Sequence, residues 1–302
     1  MDKKNLLPFL GGSEPFSLEL AAEYFSVTAG ENLYVSFVKN YTGGTDNHLQ
    51  YNIENTGWVT YTLGTQISLL ANQTVMFKNT DNYFADYTGI SDNSLKTGYT
   101  LKIDNANGTN KGKANVFGTI LALRNNNTAV VGPYEFINLF NNIGTNSSSD
   151  ADRPVLTGVN FPLGTDAQST AAYKQICSNS KIKNPPTLPT SYTSAIMNFY
   201  YEAFKGCTSL TAAPSLPATK LDSSCYYRMF SGCTSLKTPP PSLPAVSATS
   251  NCYYEMFKGC TSLTATPTFA TLESIEAQSL MSMFEGCTSL KTPPTTIGKS
   301  DL

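Results

Sequence analysis

Seven cysteines and a single histidine are the residues of this 302-residue chain with the most chemical potential. Cys207, Cys233, Cys260 and Cys287 follow one another at intervals of 26, 27 and 27 residues. Cys225 and Cys252 form a second series, and Cys177 precedes both. Structural zinc needs Cys-x-x-Cys pairs or histidines alongside the thiolates, and this chain has neither arrangement. An odd number of cysteines without a secretory leader argues against an oxidised disulfide framework. Stacked repeats place equivalent residues about 4.8 Å apart, within reach of a disulfide. Parallel side chains, however, do not turn toward each other as the S–S dihedral requires. We therefore expect reduced, buried thiols that act as small hydrophobes and react slowly.

His48 is the only histidine, so any Ser-His-Asp or Cys-His system would have to use it. It stands beside Asn47 in turn-like sequence, and no Gly-x-Ser-x-Gly elbow occurs. The close carboxylate pairs of the second half, Asp150/Asp152 and Glu273/Glu276, lie in polar or degenerate segments that do not single them out as a glycosidase dyad. Asp81, Asp86 and Asp92 match no calcium-loop spacing and read as a solvated loop. Gly11-Gly12 and Gly43-Gly44 lack the Lys-Ser/Thr of a phosphate-binding loop. These absences give a reading of no catalytic residue, no metal and no cofactor, hence no enzyme.

Recurring polar and aromatic residues are the alternative. Tyr200-Tyr201, Tyr226-Tyr227 and Tyr253-Tyr254 return with the cysteines. Consecutive residues of a helix cannot both face the core, so one of each pair is expected near the surface. We take Tyr200, Tyr226 and Tyr253 as a ligand-binding row, with Lys205 and Lys258 beside it. Such a row stacks on sugar rings or a protein partner, or else only covers the next repeat.

The element that must position these residues is Phe204-Lys205-Gly206-Cys207-Thr208-Ser209-Leu210, which returns at 230–236, 257–263 and 284–290 with only its second residue changed. A fixed period of this length means one supersecondary unit stacked on copies of itself. Within 250–267, Asn251 is a helix cap, and Cys252, Met256 and Phe257 fall on one helical face. Gly259 ends the helix in a left-handed turn, residues 261–264 run extended, and Pro267 stops that strand. Degraded copies extend back to Tyr134, with Phe140 in the place of Phe204, and through Tyr173 to Ile182, giving about six units.

Ahead of the repeats the pattern is β. Short runs at 32–38, 49–53, 58–62, 66–70, 74–78, 99–103 and 114–123, the first two alternating and the set spaced about ten residues apart, predict a small antiparallel sandwich. Trp58, mid-strand, is placed in its core. Residues 124–133 form a boundary. The expected organisation is an arm or anchor over 1–15, a β-sandwich over 16–125 and repeats over 134–302. The arm is either a disordered tail or a peptide that docks into a partner.

The Phe-x-x-Cys-x-Ser-Leu core, matched at Phe204/Cys207/Ser209/Leu210 and three times more, resembles leucine-rich repeats of the BspA type. That resemblance implies an α+β fold, an N-terminal antiparallel β-sandwich followed by a C-terminal leucine-rich-repeat solenoid. These units are a few residues longer than the usual repeat, with Pro-rich linkers such as Ala213-Pro214-Ser215-Leu216-Pro217. The Gln50-Tyr51, Trp58, Tyr61 pattern and Phe117-Gly118-Thr119-Ile120 resemble a sandwich-plus-repeat combination found in gut Bacteroidetes and their phages.

Charged residues make up 14% of the chain and the net charge is −2, so no nucleic-acid footprint is present. No run of 18 apolar residues marks a membrane span. Met1 and the short apolar stretch after it favour a chain that never used an export leader. We expect a non-enzymatic phage virion appendage, a capsid-mounted or tail fibre. It would attach to capsid or tail proteins through its N-terminal region and bind a host surface glycan or protein through its repeats. A bacterial cell-surface adhesin is the alternative. The short segment after Pro294 leads us to expect that the C-terminal end packs on a neighbouring subunit of a homo-oligomer.

Overall fold

A computed structural model describes residues 24–39, 48–54, 56–80, 99–106, 112–120, 123, 136–143, 155–160, 171–185, 188 and 194–291. The expected arm over 1–15, both glycine pairs, Asp81, Asp86, Asp92, Asp150 and Asp152 lie outside the described residues.

Among the described residues, nine strands build the N-terminal half: β1 (Phe25–Ala29), β2 (Leu33–Lys39), β3 (Leu49–Ile53), β4 (Val59–Thr60), β5 (Ile67–Leu69), β6 (Thr74–Asn79), β7 (Tyr99–Asp104), β8 (Ala114–Thr119) and β9 (Val155–Asn160). They form a six-stranded sheet, β4-β3-β6-β1-β8-β9, and a three-stranded sheet, β5-β2-β7. Alternation on β2 buries Leu33, Val35 and Phe37 while Tyr34 faces solvent. Phe37 meets Phe77 of the other sheet edge-on at 5.0 Å, and Phe25 closes the cluster at 6.0 Å from Phe37. The two sheets therefore face one another through aromatic rings. Trp58 is only half-buried: its ring packs on Tyr24 at 4.9 Å and receives the Lys78 ammonium at 4.2 Å. The expectation that it sits in the core is corrected, because strand β4 lies at the sheet edge.

Two strands were not foreseen. β1 is central, paired with β6 and β8, and Phe25, Ser26 and Val27 are all buried. A strand covered on both faces shows no alternation to read. β9 comes from beyond the expected boundary at 124–133, yet pairs parallel with β8. Phe140 packs on Phe25 at 6.0 Å, and the Leu101 amide donates to the Leu139 carbonyl at 2.9 Å. One hydrophobic core runs through both halves.

The α+β expectation with a helix-bearing leucine-rich-repeat solenoid is overturned. Helix is almost absent from the described residues, with 3₁₀ geometry at Ile120 and Leu123. The described residues are β-rich, built of small sheets, and show no solenoid closure. Where helices were expected, each repeat forms a ribbon of linked turns. Every second N–H bonds locally, three residues back: Tyr201 to Asn198, Ala203 to Tyr200, Lys205 to Glu202. The intervening N–H groups bond to the next repeat: Tyr200 to Cys225, Glu202 to Tyr227, Phe204 to Met229, Gly206 to Ser231. An α-helix would satisfy all of them internally. The ribbon instead turns through a left-handed residue at every fourth position, Asn198, Glu202 and Gly206 in one rung, Asn251, Glu255 and Gly259 in another. Asn251 is thus a ribbon residue and not a helix cap. Residues 261–262 form a turn and 263–264 are irregular, and the strands lie instead in the Pro-rich segments. They are β10 (Ser194–Ala195), β11 (Lys220–Leu221), β12 (Ser242–Leu243), β13 (Ser247–Ala248), β14 (Thr268–Phe269) and β15 (Ser274–Ile275), two residues each and paired parallel as β10 with β11, β12 with β14 and β13 with β15. Among the described residues no helix is long and apolar enough to cross a membrane.

Candidate surface strip along the repeat stack

Equivalent residues of successive rungs stack directly on one another. Phe204, Phe230, Phe257 and Phe284 form one column, with ring centroids 5.6, 5.6 and 5.4 Å apart. Phe136, Tyr173, Tyr200, Tyr226 and Tyr253 form a second, spaced 5.6–6.0 Å. Tyr200, Tyr226 and Tyr253 are 4%, 1% and 1% exposed. The expected ligand row is therefore corrected: these rings belong to the core. The neighbouring residue of each pair faces outward, because the ribbon turns two residues inward and the next two outward: Cys225 and Tyr226 are buried, Tyr227 and Arg228 partly exposed. Tyr201, Tyr227 and Tyr254 are half-buried and stack at 4.6 and 5.0 Å, with ring planes within 7° of parallel.

Charged groups flank this outer column. Glu202, Arg228 and Glu255 occupy one left-handed position of successive rungs. The Arg228 Nε donates to Glu255 Oε2 at 2.7 Å, and its Nη1 lies 4.0 Å from Glu202 Oε1. The same guanidinium lies over the Tyr227 and Tyr254 rings at 5.0 and 5.6 Å. Lys205 donates to Glu202 at 2.7 Å, and Lys258 pairs with Glu255 and Glu285, each at 3.1 Å. The expected Lys205 and Lys258 thus lie on the strip, but bound into ion pairs. Burial opposes ionisation of Glu255, yet the hydrogen bonds from Arg228 and Lys258 hold its carboxyl below the usual carboxylate range. Burial, then the Glu202 charge, pushes the Tyr201 hydroxyl up to about 12.

The stacking decides what this strip offers. Tyr227 is stacked on both faces, Tyr254 on the face toward Tyr227, and the outer face of Tyr201 is covered by the Lys174 ammonium at 4.9 Å. Tyr201 and Tyr227 therefore present edges and hydroxyls, not open faces for a sugar ring to lie on. Tyr201, Tyr227 and Tyr254 were missed as site residues although the pairs were recognised. Period alone cannot say which member of a pair turns outward.

All seven cysteines are free and buried. Cys233, Cys260 and Cys287 each donate Sγ–H to the phenylalanine carbonyl of the preceding rung, Phe204, Phe230 and Phe257, at 3.1 Å. Burial pushes the Cys207, Cys252 and Cys260 thiols up to about 12. These are structural groups that satisfy backbone carbonyls. Among the described residues, no cluster of three His, Cys, Asp or Glu side chains could hold a metal ion. His48, Glu273 and Glu276 lie exposed and apart from the strip. No protein-family model, curated protein or solved structure matches the chain.

Proposed function

We propose that this chain is a non-enzymatic recognition protein. On this reading it is a phage virion appendage, attached to capsid or tail proteins through its N-terminal half. It binds a host surface glycan or protein through its repeats. The observation that carries the recognition role is the outer strip of Tyr201, Tyr227 and Tyr254 with Arg228, Lys205 and Lys258, repeated at the rung spacing on a packed support. Rigid tyrosines with paired charges suit an interface, because little side-chain freedom is lost on binding. Since the ring faces of Tyr201 and Tyr227 are occupied, ligand contacts run mainly through tyrosine hydroxyls, ring edges and the charged groups. This favours a protein surface, or a glycan bound by its hydroxyl and carboxylate groups, over ring-on-ring sugar stacking. Association into a homo-oligomer falls to the N-terminal half, where edge strand β4 exposes Val59.

The test has two arms. Mass spectrometry of purified particles should find this chain, whereas recovery from the bacterial envelope alone would replace the virion with a cell-surface adhesin. Tyr201→Ala, Tyr227→Ala and Tyr254→Ala together should abolish adherence to host cells while the thermal transition persists. Full adherence by the triple variant would remove the strip from the interface.

A further inference from the structure

The rungs are stacked with one polarity. Every inter-rung bond of the ribbons runs from an N–H of the earlier rung to a carbonyl of the later one, from Phe136 to Ala172 through to Gly259 to Glu285. The bond dipoles therefore add along the stack, as they do in a helix. The last ribbon, 278–286, repeats the pattern. Met281, Met283 and Glu285 donate locally, three residues back. Gln278, Leu280, Ser282, Phe284 and Gly286 hold the outward N–H groups, and among the described residues none of the five finds an acceptor. Among the described residues the core columns stop at the same face. Phe257 and Leu263 are fully buried, while their successors Phe284 and Leu290 are half-buried and Ile275, which follows buried Ala248, is 38% exposed.

Such an edge is half of an interface, and its chemistry selects the other half. It has donors only, so the occupant must present successive carbonyls. A second copy docked end to end would set donors against donors. A second copy docked head to tail would need a free first rung, but that rung is seated on β7 through the Leu101–Leu139 bond. Three carboxylates, Glu273, Glu276 and Glu285, stand against one lysine, Lys291, over 273–291, which disfavours an anionic occupant.

We propose that this open edge binds a polypeptide segment of another protein by backbone addition, one that offers a row of carbonyls and carries basic side chains. A suitable probe is the synthetic peptide of residues 223–236. Its carbonyls at Ser223, Cys225, Tyr227, Met229 and Ser231 accept from the preceding ribbon in the fold, and Arg228 is its only charge.

The experiment is residue-resolved amide exchange on the full chain, with and without this peptide under reducing conditions. In the chain alone, the Leu280, Ser282 and Phe284 amides should exchange at least about a hundredfold faster than Tyr253, Glu255 and Phe257. Saturating peptide should slow those three selectively. The peptide bearing Arg228→Glu should bind about tenfold more weakly. Slow exchange before peptide is added would overturn the proposal, as would no protection by the peptide or equal protection by a scrambled one.

Discussion

Arg228 lies between two carboxylates of neighbouring rungs, 2.7 Å from Glu255 and 4.0 Å from Glu202, with a backbone φ of +50°. A left-handed conformation costs a residue with a Cβ about 1 kcal/mol. The ion pairs and the bond from the Arg228 amide to the Tyr254 carbonyl hold it there. Arg228→Ala should lower stability by about 1–2 kcal/mol, since it leaves two buried carboxylates facing each other across a partly solvated gap. Arg228→Gly should cost about 1 kcal/mol less than Arg228→Ala, because glycine adopts positive φ freely. Urea titration of both variants checks the order, which is the reverse of that at a helical site.

The glycine column supplies a second test. Gly259 has φ +73° and its nearest non-local neighbour is the Gly232 Cα, 3.9 Å from a built Cβ. Space is therefore adequate, and Gly259→Ala pays only the backbone strain, about 1–2 kcal/mol. Gly259→Asn should cost less than Gly259→Ala, as asparagine tolerates this region. Asn142 and Asn179 already occupy the equivalent positions of the first two rungs, with φ +61° and +56°. Gly206→Ala should cost more than Gly259→Ala, because its Cβ would collide with the Asn179 side chain. Melting curves of the three variants decide the ranking.

Thiol accessibility separates structural from reactive cysteines. With all seven buried and their ionisation suppressed by burial, titration of the folded chain at pH 8 should return close to zero reactive thiols. Unfolding without reductant should expose all seven. Fewer than seven after unfolding would mean that disulfides had formed.

Stability should fall at both ends of the pH scale. The Glu255 pKa is lowered in the fold, so its contribution is present above the unfolded carboxylate pKa and is lost as pH falls through the folded value. Glu255→Gln should flatten the acid limb. The Tyr201 pKa is raised to about 12, so the fold favours its neutral form. That contribution is present below about 10 and is lost as pH rises toward 12. Tyrosinate absorbance during an alkaline titration, compared with Tyr201→Phe, reads this directly.

In the N-terminal half Phe37 and Phe77 make the tightest aromatic contact between the facing sheets, 5.0 Å. Phe37→Ala or Phe77→Ala should each cost about 3–5 kcal/mol, since both rings are fully buried at the sheet interface. The double variant should cost less than the sum, because the two rings touch.

Much of this molecule is legible in its residues. The period of Phe204, Phe230, Phe257 and Phe284 dictates stacking and places their rings, the cysteines and the leucines inside. Alternation locates β2, β3, β5, β7 and most of β8, and the turn at Asn72-Gln73 locates β6. The glycine of each motif is left-handed as its position demands. What the chain alone does not decide is where alternate N–H groups go. Cys252, Met256 and Phe257 share a face in a helix and in a ribbon of turns alike, so apolar spacing cannot distinguish them. Only the neighbouring rung, whose carbonyls accept the intervening N–H groups, selects the ribbon. The same stacking decides that Tyr200 turns inward and Tyr201 outward, and that β9 crosses the expected boundary to pair with β8. These are choices between locally similar conformations, and contacts between segments about 27 residues or more apart settle them.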